Sequence, residues 1–208
     1  IVSDAKILVV GQFDSIGGQT KENIARLNDN GSIDPAFNAT SDGAITKIVR
    51  QENAEFVIVG GFQNVNGQVH RGIARIDNAG ALDVNFNAST NGEVDDIALQ
   101  TDGKIILAGS FAEINGQNIA FFARIDVSGG LDTDFNVTPN GAVKSIVYQS
   151  DGSIVMAGHF TQTSSTSRNY LARVYGNGKI DQDLIANTDS DVNGVATSES
   201  GTLSVVGF

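Results

Sequence analysis

The sequence contains no cysteine and no tryptophan, and it has only two histidines, two prolines and one methionine in 208 residues. Without cysteine, disulfides, thiolate metal sites and cysteine nucleophiles are all excluded. Two histidines leave little capacity for acid–base catalysis near neutral pH. These absences favour a protein that is not an enzyme and that holds no cofactor.

Basic residues and long apolar runs are also scarce. Thirteen lysines and arginines stand against 24 acidic residues, which gives a net charge of -11. Because such a surface repels phosphate backbones and anionic headgroups, we expect no nucleic-acid partner and no insertion into a membrane. No run of 18 apolar residues occurs, and the first residue lies inside a patterned segment, so we expect an excerpt from a longer protein.

The sequence is rich in glycine, with 24 residues, and 40% of its residues are hydrophobic. It also repeats itself every 49 residues, without insertion or deletion. The repeat is marked by phenylalanines that close apolar segments such as ILVVGQF and FVIVGGF: Phe13, Phe62, Phe111 and Phe160. A fixed period of this length is typical of repeat folds, in which each copy is one supersecondary unit.

Alternation and turn residues divide each copy into four predicted strands. In the copy that spans 92–136, strand A covers 94–99, strand B 104–111, strand C 120–127 and strand D 131–136. An Asp-Gly hairpin joins A to B. Four antiparallel strands per repeat predict a β-propeller blade whose strand A lines the central channel. The alternative, a β-solenoid, has shorter coils without such hairpins.

The strand count predicts an all-β fold with one propeller region over residues 1–208. Its units are a partial blade with strands B, C and D at 1–38, three full blades at 39–87, 88–136 and 137–185, and a partial blade with strands A and B at 186–208. Both ends carry a strand B, so they cannot complete one blade. We therefore expect an arc of a larger ring with six to eight blades.

The segments GSFAEINGQ, FARID, GGLDTDFN and DGKIILAG resemble the delta-60 repeat family, a β-propeller repeat of bacterial secreted and surface proteins. The resemblance covers essentially the whole chain. It implies a propeller fold and an extracellular or cell-surface location, and the family offers no catalytic residues. The fourth copy departs from the pattern, because 163–166 replace Ile-Asn-Gly-Gln and Leu184-Ile185 replace Phe-Asn.

Each copy also places an arginine in strand C and an aspartate eight residues later. The pairs are Arg26 and Asp34, Arg75 and Asp83, Arg124 and Asp132, and Arg173 and Asp181. Because strands C and D are hairpin partners, we expect each arginine to bind its aspartate as a structural tie. The alternative is a ring of arginines that binds anions.

The segment from Asp189 to Gly194 matches the first half of an EF-hand loop, with Asp189, Asp191 and Asn193 as candidate calcium ligands. The twelfth position is Ser200, which cannot supply the bidentate carboxylate. The same residues align with the ordinary turns between strands D and A of the other copies. A plain turn is the favoured interpretation, and calcium is the alternative.

Loops B–C and D–A are predicted to lie on one face of the propeller, and the B–C loops differ most between copies. They supply the candidate binding residues His70, Arg71, Phe121, Arg168, Asn169 and Tyr170. Exposed side chains of these types on one rim could contact a partner. The alternative is free drift of solvent-exposed loops.

These features favour a non-catalytic binding or scaffold module of a secreted or surface protein, with another surface protein or a glycan as partner. We expect it to belong to a longer multidomain chain or a surface complex. The alternatives are a polysaccharide-active enzyme or its substrate-holding domain, and a calcium-stabilised adhesin segment. Asp95 and Asp96 are the one acid pair outside the repeat pattern, and neighbours on a strand point to opposite faces.

Overall fold

The computed structural model describes residues 6–186, 188–198 and 201–207, and all regular secondary structure in these residues is β-strand. No helix in this part of the chain could cross a membrane. The first partial blade contains β1 (Ile7–Val10), β2 (Ser15–Ile16), β3 (Gln19–Thr20) and β4 (Ile24–Leu27). The first full blade contains β5 (Ile45–Arg50), β6 (Phe56–Gly60), β7 (Asn64–Val65), β8 (Gln68–Val69) and β9 (Ile73–Ile76).

The second full blade contains β10 (Val94–Leu99), β11 (Ile105–Gly109) and β12 (Phe122–Ile125). The third contains β13 (Val143–Tyr148), β14 (Ile154–Gly158), β15 (Gln162–Thr163), β16 (Thr166–Ser167) and β17 (Leu171–Val174). The last partial blade contains β18 (Val192–Thr197) and β19 (Leu203–Gly207).

Each full blade is an antiparallel sheet of strands A, B and C, with B in the centre, and two-stranded sheets flank the three blades. The registers repeat: Ile97 pairs with Leu107, which in turn pairs with Ala123, and the other blades use the corresponding residues. The described sheets form an open arc. The prediction of an all-β fold with propeller blades is confirmed.

Strand D is much shorter than predicted, because it contributes a single bridge in each copy. In the second full blade, Ile125 bridges Leu131, and the expected strand over 131–136 continues as a turn. The cause is Asp132: its Oδ1 accepts the amide of Asp134 at 3.2 Å, and its carbonyl accepts the amide of Phe135. A side chain that bonds the backbone two residues later favours a turn over an extended ladder.

The hydrophobic core lies between neighbouring blades. One cluster joins Val57 and Ile73 of the first full blade to Ile97, Leu107 and Phe111 of the second. All five residues of each strand B in the three full blades are buried. Of the repeated phenylalanines, Phe62, Phe111 and Phe160 are 0% exposed, whereas Phe13 of the first partial blade is half-buried.

The blades present two loop faces, at opposite ends of strand B. The B–C face carries the B–C loops and the D–A turns, which are joined by a repeated contact: Asn91 Oδ1 accepts the amides of Ala112 and Glu113, both at 2.8 Å. Asp42 and Asn140 make the same contact in their copies. The A–B face carries the A–B and C–D turns.

Candidate functional site

The repeated arginines lie beside the repeated aspartates in all four copies. Each guanidinium donates through Nε to the Oδ2 atom of the aspartate eight residues later. The distances are 2.7 Å for Arg26 and Asp34, 2.8 Å for Arg75 and Asp83, 2.9 Å for Arg124 and Asp132, and 2.6 Å for Arg173 and Asp181.

In three copies the arginine also contacts the next blade. Nη1 of Arg75 donates to the Val127 carbonyl at 2.7 Å, and Nη1 of Arg124 donates to the Gly176 carbonyl at 2.6 Å. Arg26 donates in the same way to the carbonyl of Asn78. Each of these guanidinium groups also lies over the phenylalanine of its own D segment, 4.2 to 5.2 Å from the ring centroid. These contacts leave the three cations little capacity for an external anion.

The fourth arginine differs from the other three in its surroundings. Arg173 is 28% exposed at its side chain, against 9% for Arg124. Leu184 replaces the phenylalanine whose ring lies beneath the guanidinium in the other three copies.

Lysines that directly precede strand B add a second cation to two of these arginine–aspartate pairs. The Lys6 ammonium and the Arg26 guanidinium lower the pKa of Asp34 to about 2, against the opposing effect of burial. Lys104 donates to Asp132 at 2.7 Å and, with Arg124, lowers the pKa of that carboxyl. Both aspartates are therefore ionised at neutral pH and held by two cations each.

The candidate calcium segment lies at a D–A turn, and its Asp189 occupies the repeat slot of Asn91. In the described part of the chain, no three His, Asp or Glu side chains come close enough together to hold a metal ion. Asp191 lies 3.7 Å from the Nε2 atom of His159. Asn193 is exposed on β18, and Val192 beside it is buried.

Arg168 does not lie on the exposed rim as predicted, because its side chain turns inward and is only 7% exposed. Its Nη2 atom donates to the carbonyl of Asp181 at 3.2 Å and to Oε1 of Gln182 at 3.1 Å. The long side chain thus reaches back to the D segment of its own blade. A buried arginine in these contacts cannot serve as an exposed binding residue.

Phe121 and Tyr170 lie half-buried at the end of their B–C loops and pack against the core clusters. Both have left-handed backbones, with φ of 69° and 63°, in the slot that Gly72 occupies in the first full blade. Such φ values are unusual for bulky residues. Asn169, which precedes Tyr170, is also half-buried. These three residues expose only part of their surface on the B–C face.

His70 and Arg71 lie together in a cleft of about 380 Å³ on the B–C face, which we call the valine cleft. Its other lining residues include two strongly exposed valines, Val69 at 70% and Val84 at 58%. Burial lowers the pKa of His70, and the nearby Asp83 opposes the shift. The imidazole is therefore neutral at pH 7, so the cleft combines apolar surface, one neutral ring and one exposed cation.

The two valines are not among the binding residues predicted from the sequence, although a signal for them exists. The slot of Val69 holds Thr20, Asn118 or Ser167 in the other copies. The slot of Val84 holds Pro35, Thr133 or Gln182. A valine in one copy, at a loop position that holds polar residues or proline in the other copies, indicates a local role for that copy.

Lysines of the neighbouring blades form ion pairs with both members of the acid pair on strand A. Asp95 accepts from Lys144 at 3.1 Å, and Asp96 lies 2.9 Å from Lys47. Asp96 also accepts the backbone amide of Ile146 at 2.9 Å. The two carboxylates therefore join three blades at the level of strand A.

Comparison of the sequence with family models finds one match in all four copies. The model described as "Domain of unknown function (DUF5122) beta-propeller" matches residues 3–37, 56–86, 100–135 and 149–183. Together these segments cover more than half of the chain. No curated protein matches the sequence.

Solved propellers share the fold at low sequence identity. The WD40 β-propeller domain of Doa1 matches with a TM-score of 0.62 at 15% identity, over 88% of this chain and 53% of that chain. The Dos1 propeller matches with a TM-score of 0.60 at 16% identity, over 96% and 47%. A protein of unknown function from Bacteroides caccae matches with a TM-score of 0.52 at 13% identity, over 95% and 63%. The chain thus spans about half the length of the first two.

Proposed function

Because the chain belongs to the DUF5122 beta-propeller family, we propose that it is a non-catalytic binding or scaffold module that contacts a partner through its B–C face. The propeller fold suits such a role, since rigid interlocked blades hold variable loops in fixed positions. The partner is another protein or a glycan.

The observation that carries this proposal is the valine cleft. It brings together Val69, His70, Arg71 and Val84, which come from a B–C hairpin and a D segment of one blade. An exposed apolar patch beside an arginine is typical of the centre of a protein interface. The aliphatic surface also fits the apolar face of a sugar ring, with Arg71 as a hydrogen-bond donor to its hydroxyls.

We also propose that the protein is a bacterial secreted or cell-surface protein of the delta-60 repeat type. The support is the resemblance of GSFAEINGQ, FARID and GGLDTDFN to that repeat. In the same proposal the chain has no catalytic role and no cofactor. The two out-of-pattern carboxylates, Asp95 and Asp96, support the absence of catalysis, because lysines of neighbouring blades hold both of them.

The experiment uses two probes, a phage-displayed random peptide library and a glycan microarray. We expect ligands that bind the wild-type chain and lose binding to the double variant Val69→Glu, Val84→Glu. Both side chains are exposed, so the variant should fold normally. Thr20→Glu, in the same slot of the first partial blade, is the matched control and should bind normally. Ligands that bind the double variant as tightly as the wild type would contradict the proposal.

A further inference from the structure

A second cleft lies on the A–B face, at the opposite end of strand B from the valine cleft. It has a volume of about 320 Å³ and separates the A–B turns of the first and second full blades. We call it the interblade cleft. Its walls are formed by Gln51, Glu52, Asn53, Arg75, Leu99, Gln100, Thr101, Asp102, Gly103 and Val127.

Two glutamines in these walls carry hydrogen-bond acceptors without donors. Gln51 is 8% exposed and Gln100 is 7% exposed, and the Oε1 atom of each has no hydrogen-bond partner in the part of the chain that the structure describes. In the third full blade, the corresponding Gln149 is satisfied, because its Oε1 accepts from the Ser153 hydroxyl at 2.9 Å. The orphaned acceptors are therefore a property of this cleft and not of the repeat.

The cause is a different residue at the position that Ser153 occupies in the third full blade. The first two full blades have Glu55 and Lys104 there, and these side chains bind other groups instead of the glutamine. Glu55 lies 3.2 Å from Nε of Arg75, and Lys104 donates to an aspartate. Buried acceptors without donors are rare in folded proteins, and they gain from a ligand that supplies the donor. Rotation about the last side-chain bond can turn either amide oxygen towards the cleft.

The charges around the interblade cleft favour a cation. Glu52 and Asp102 are exposed at its rim and form no ion pair with any described residue. The one cation in the wall, Arg75, is already held by Asp83 and Glu55. The net charge of -11 on the whole chain adds a long-range attraction for positive ligands.

We propose that the interblade cleft binds a small organic cation that carries several hydrogen-bond donors, of which an amino sugar with a free ammonium group is the type. The ammonium lies near Glu52 and Asp102, and hydroxyl donors satisfy Gln51 and Gln100. The volume of the cleft is at the lower end of the range for small-molecule sites, which is roughly 300 to 1,000 Å³.

The boundary between the second and third full blades suggests a substitution that should close the interblade cleft. There Tyr148 occupies the slot of Leu99, and its hydroxyl lies 3.4 Å from Oγ1 of Thr101. The tyrosine thus connects the A–B ends of the second and third full blades. In the interblade cleft, the corresponding ends of the first and second full blades remain apart. Leu99→Tyr should reproduce this contact and fill the cleft, and the fold already accepts tyrosine in this slot.

The test is calorimetric titration with glucosamine, the deacetylated sugar, and in parallel with N-acetylglucosamine, at about pH 6 so that the free amine is protonated. We expect saturable binding of one deacetylated molecule per chain, weakened by salt. The acetylated sugar, which lacks the charge, should bind on the order of tenfold more weakly. Equal affinity for both sugars would show that charge is not recognised and would overturn the proposal.

Variants assign the binding to the cleft. Leu99→Tyr should abolish it, and Gln100→Met should weaken it about tenfold, as expected for one lost hydrogen bond to a buried acceptor. Gln149→Met, in the same slot of the third blade and outside the cleft, should leave it unchanged. Binding that survives Leu99→Tyr, or no saturable binding at all, overturns the proposal. The double variant Val69→Glu, Val84→Glu should bind normally, so this test stands apart from that of the B–C face.

Discussion

The guanidinium carbon of Arg124 lies 4.2 Å from the centroid of the Phe135 ring, while its Nε donates to Asp132 at 2.9 Å. The ring, the carboxylate and the carbonyl of Gly176 in the next blade thus surround one cation. Three repeated features of the sequence, the Ala-Arg pair, the aspartate and the Phe-Asn pair, therefore form one structural unit that joins two blades.

Replacement of Arg124 by methionine should destabilise the fold by about 3 kcal/mol, because it leaves Asp132 without its guanidinium in a mostly buried position. Arg173→Met is the matched comparison. Arg173 lacks the phenylalanine ring, but Asp181 is only 1% exposed at its side chain and pairs with no lysine of the described residues, whereas Asp132 keeps Lys104. We therefore expect Arg173→Met to cost at least as much, about 3 kcal/mol or more. Urea unfolding followed by circular dichroism measures both. If Arg124→Met kept its stability and lost a bound anion, the arginines would be a binding ring.

The low pKa of Asp34 predicts a defined loss of stability in acid. Its carboxyl has a pKa of about 2 in the folded chain and 3.8 as an unperturbed group. The folded state therefore binds fewer protons in this interval, so its stabilisation is complete above about pH 4 and is lost as the pH falls through 2. The lost free energy is about 2 kcal/mol, since one pKa unit corresponds to about 1.4 kcal/mol.

Asp34→Asn isolates this effect from that of the other aspartates. We expect the difference in unfolding free energy between wild type and variant to shrink by about 2 kcal/mol between pH 5 and pH 2. Urea titrations at each pH give the two curves. A constant difference across the interval would show that Lys6 and Arg26 do not hold the carboxylate ionised.

The calcium hypothesis has a simple thermal test. Asp189 occupies a slot whose counterparts, Asp42, Asn91 and Asn140, each accept two backbone amides of a B–C loop. We therefore expect a turn, and removal of calcium with EDTA should leave the melting temperature unchanged. A drop on chelation that Asp191→Ala abolishes would establish a calcium site, because a ligand of the native state raises its stability.

The sequence predicted the repeated architecture well, because period, hairpin turns and apolar alternation are local signals. It predicted strand A over 94–99, and the structure has Val94–Leu99. It failed for strand D, where LDTDFN alternates like a strand but Asp132 binds its own backbone. The competition between a ladder and a side-chain turn depends on hydrogen bonds that the pattern of apolar residues does not reveal.

The two clefts were less accessible to sequence analysis. Val69 and Val84 lie 15 positions apart and become neighbours only through the B–C hairpin and the D segment. The Oε1 atom of Gln100 has no donor because only the third full blade has a serine at the position that contacts this glutamine. Its burial depends on the tertiary structure and not on a local sequence signal. Likewise, the inward turn of Arg168 depends on carbonyl groups of the D segment that are within its reach.

The A–B turns offer a test of backbone strain. Gly103 and Gly152 have φ of 83° and 84° in their turns, whereas Ala54 holds the same slot with φ of 65°. A left-handed conformation disfavours alanine by roughly 1 to 2 kcal/mol, and the greater freedom of glycine in the unfolded chain offsets part of that. Ala54→Gly should therefore stabilise the fold by about 0.5 kcal/mol.

Gly152→Ala is the reverse change at a site with space for the methyl group, since the nearest atom to the added Cβ is the Tyr148 hydroxyl oxygen at 3.9 Å. It should destabilise the fold by about 1 kcal/mol through strain alone. Gly103→Ala should be worse, because its Cβ would lie 2.8 Å from Val127. Chemical denaturation of the three variants gives the order. If Ala54→Gly were destabilising, the turn of the first full blade would not hold the left-handed geometry of its counterparts, and the difference between Asn53-Ala54 and Asp-Gly would reflect a different turn.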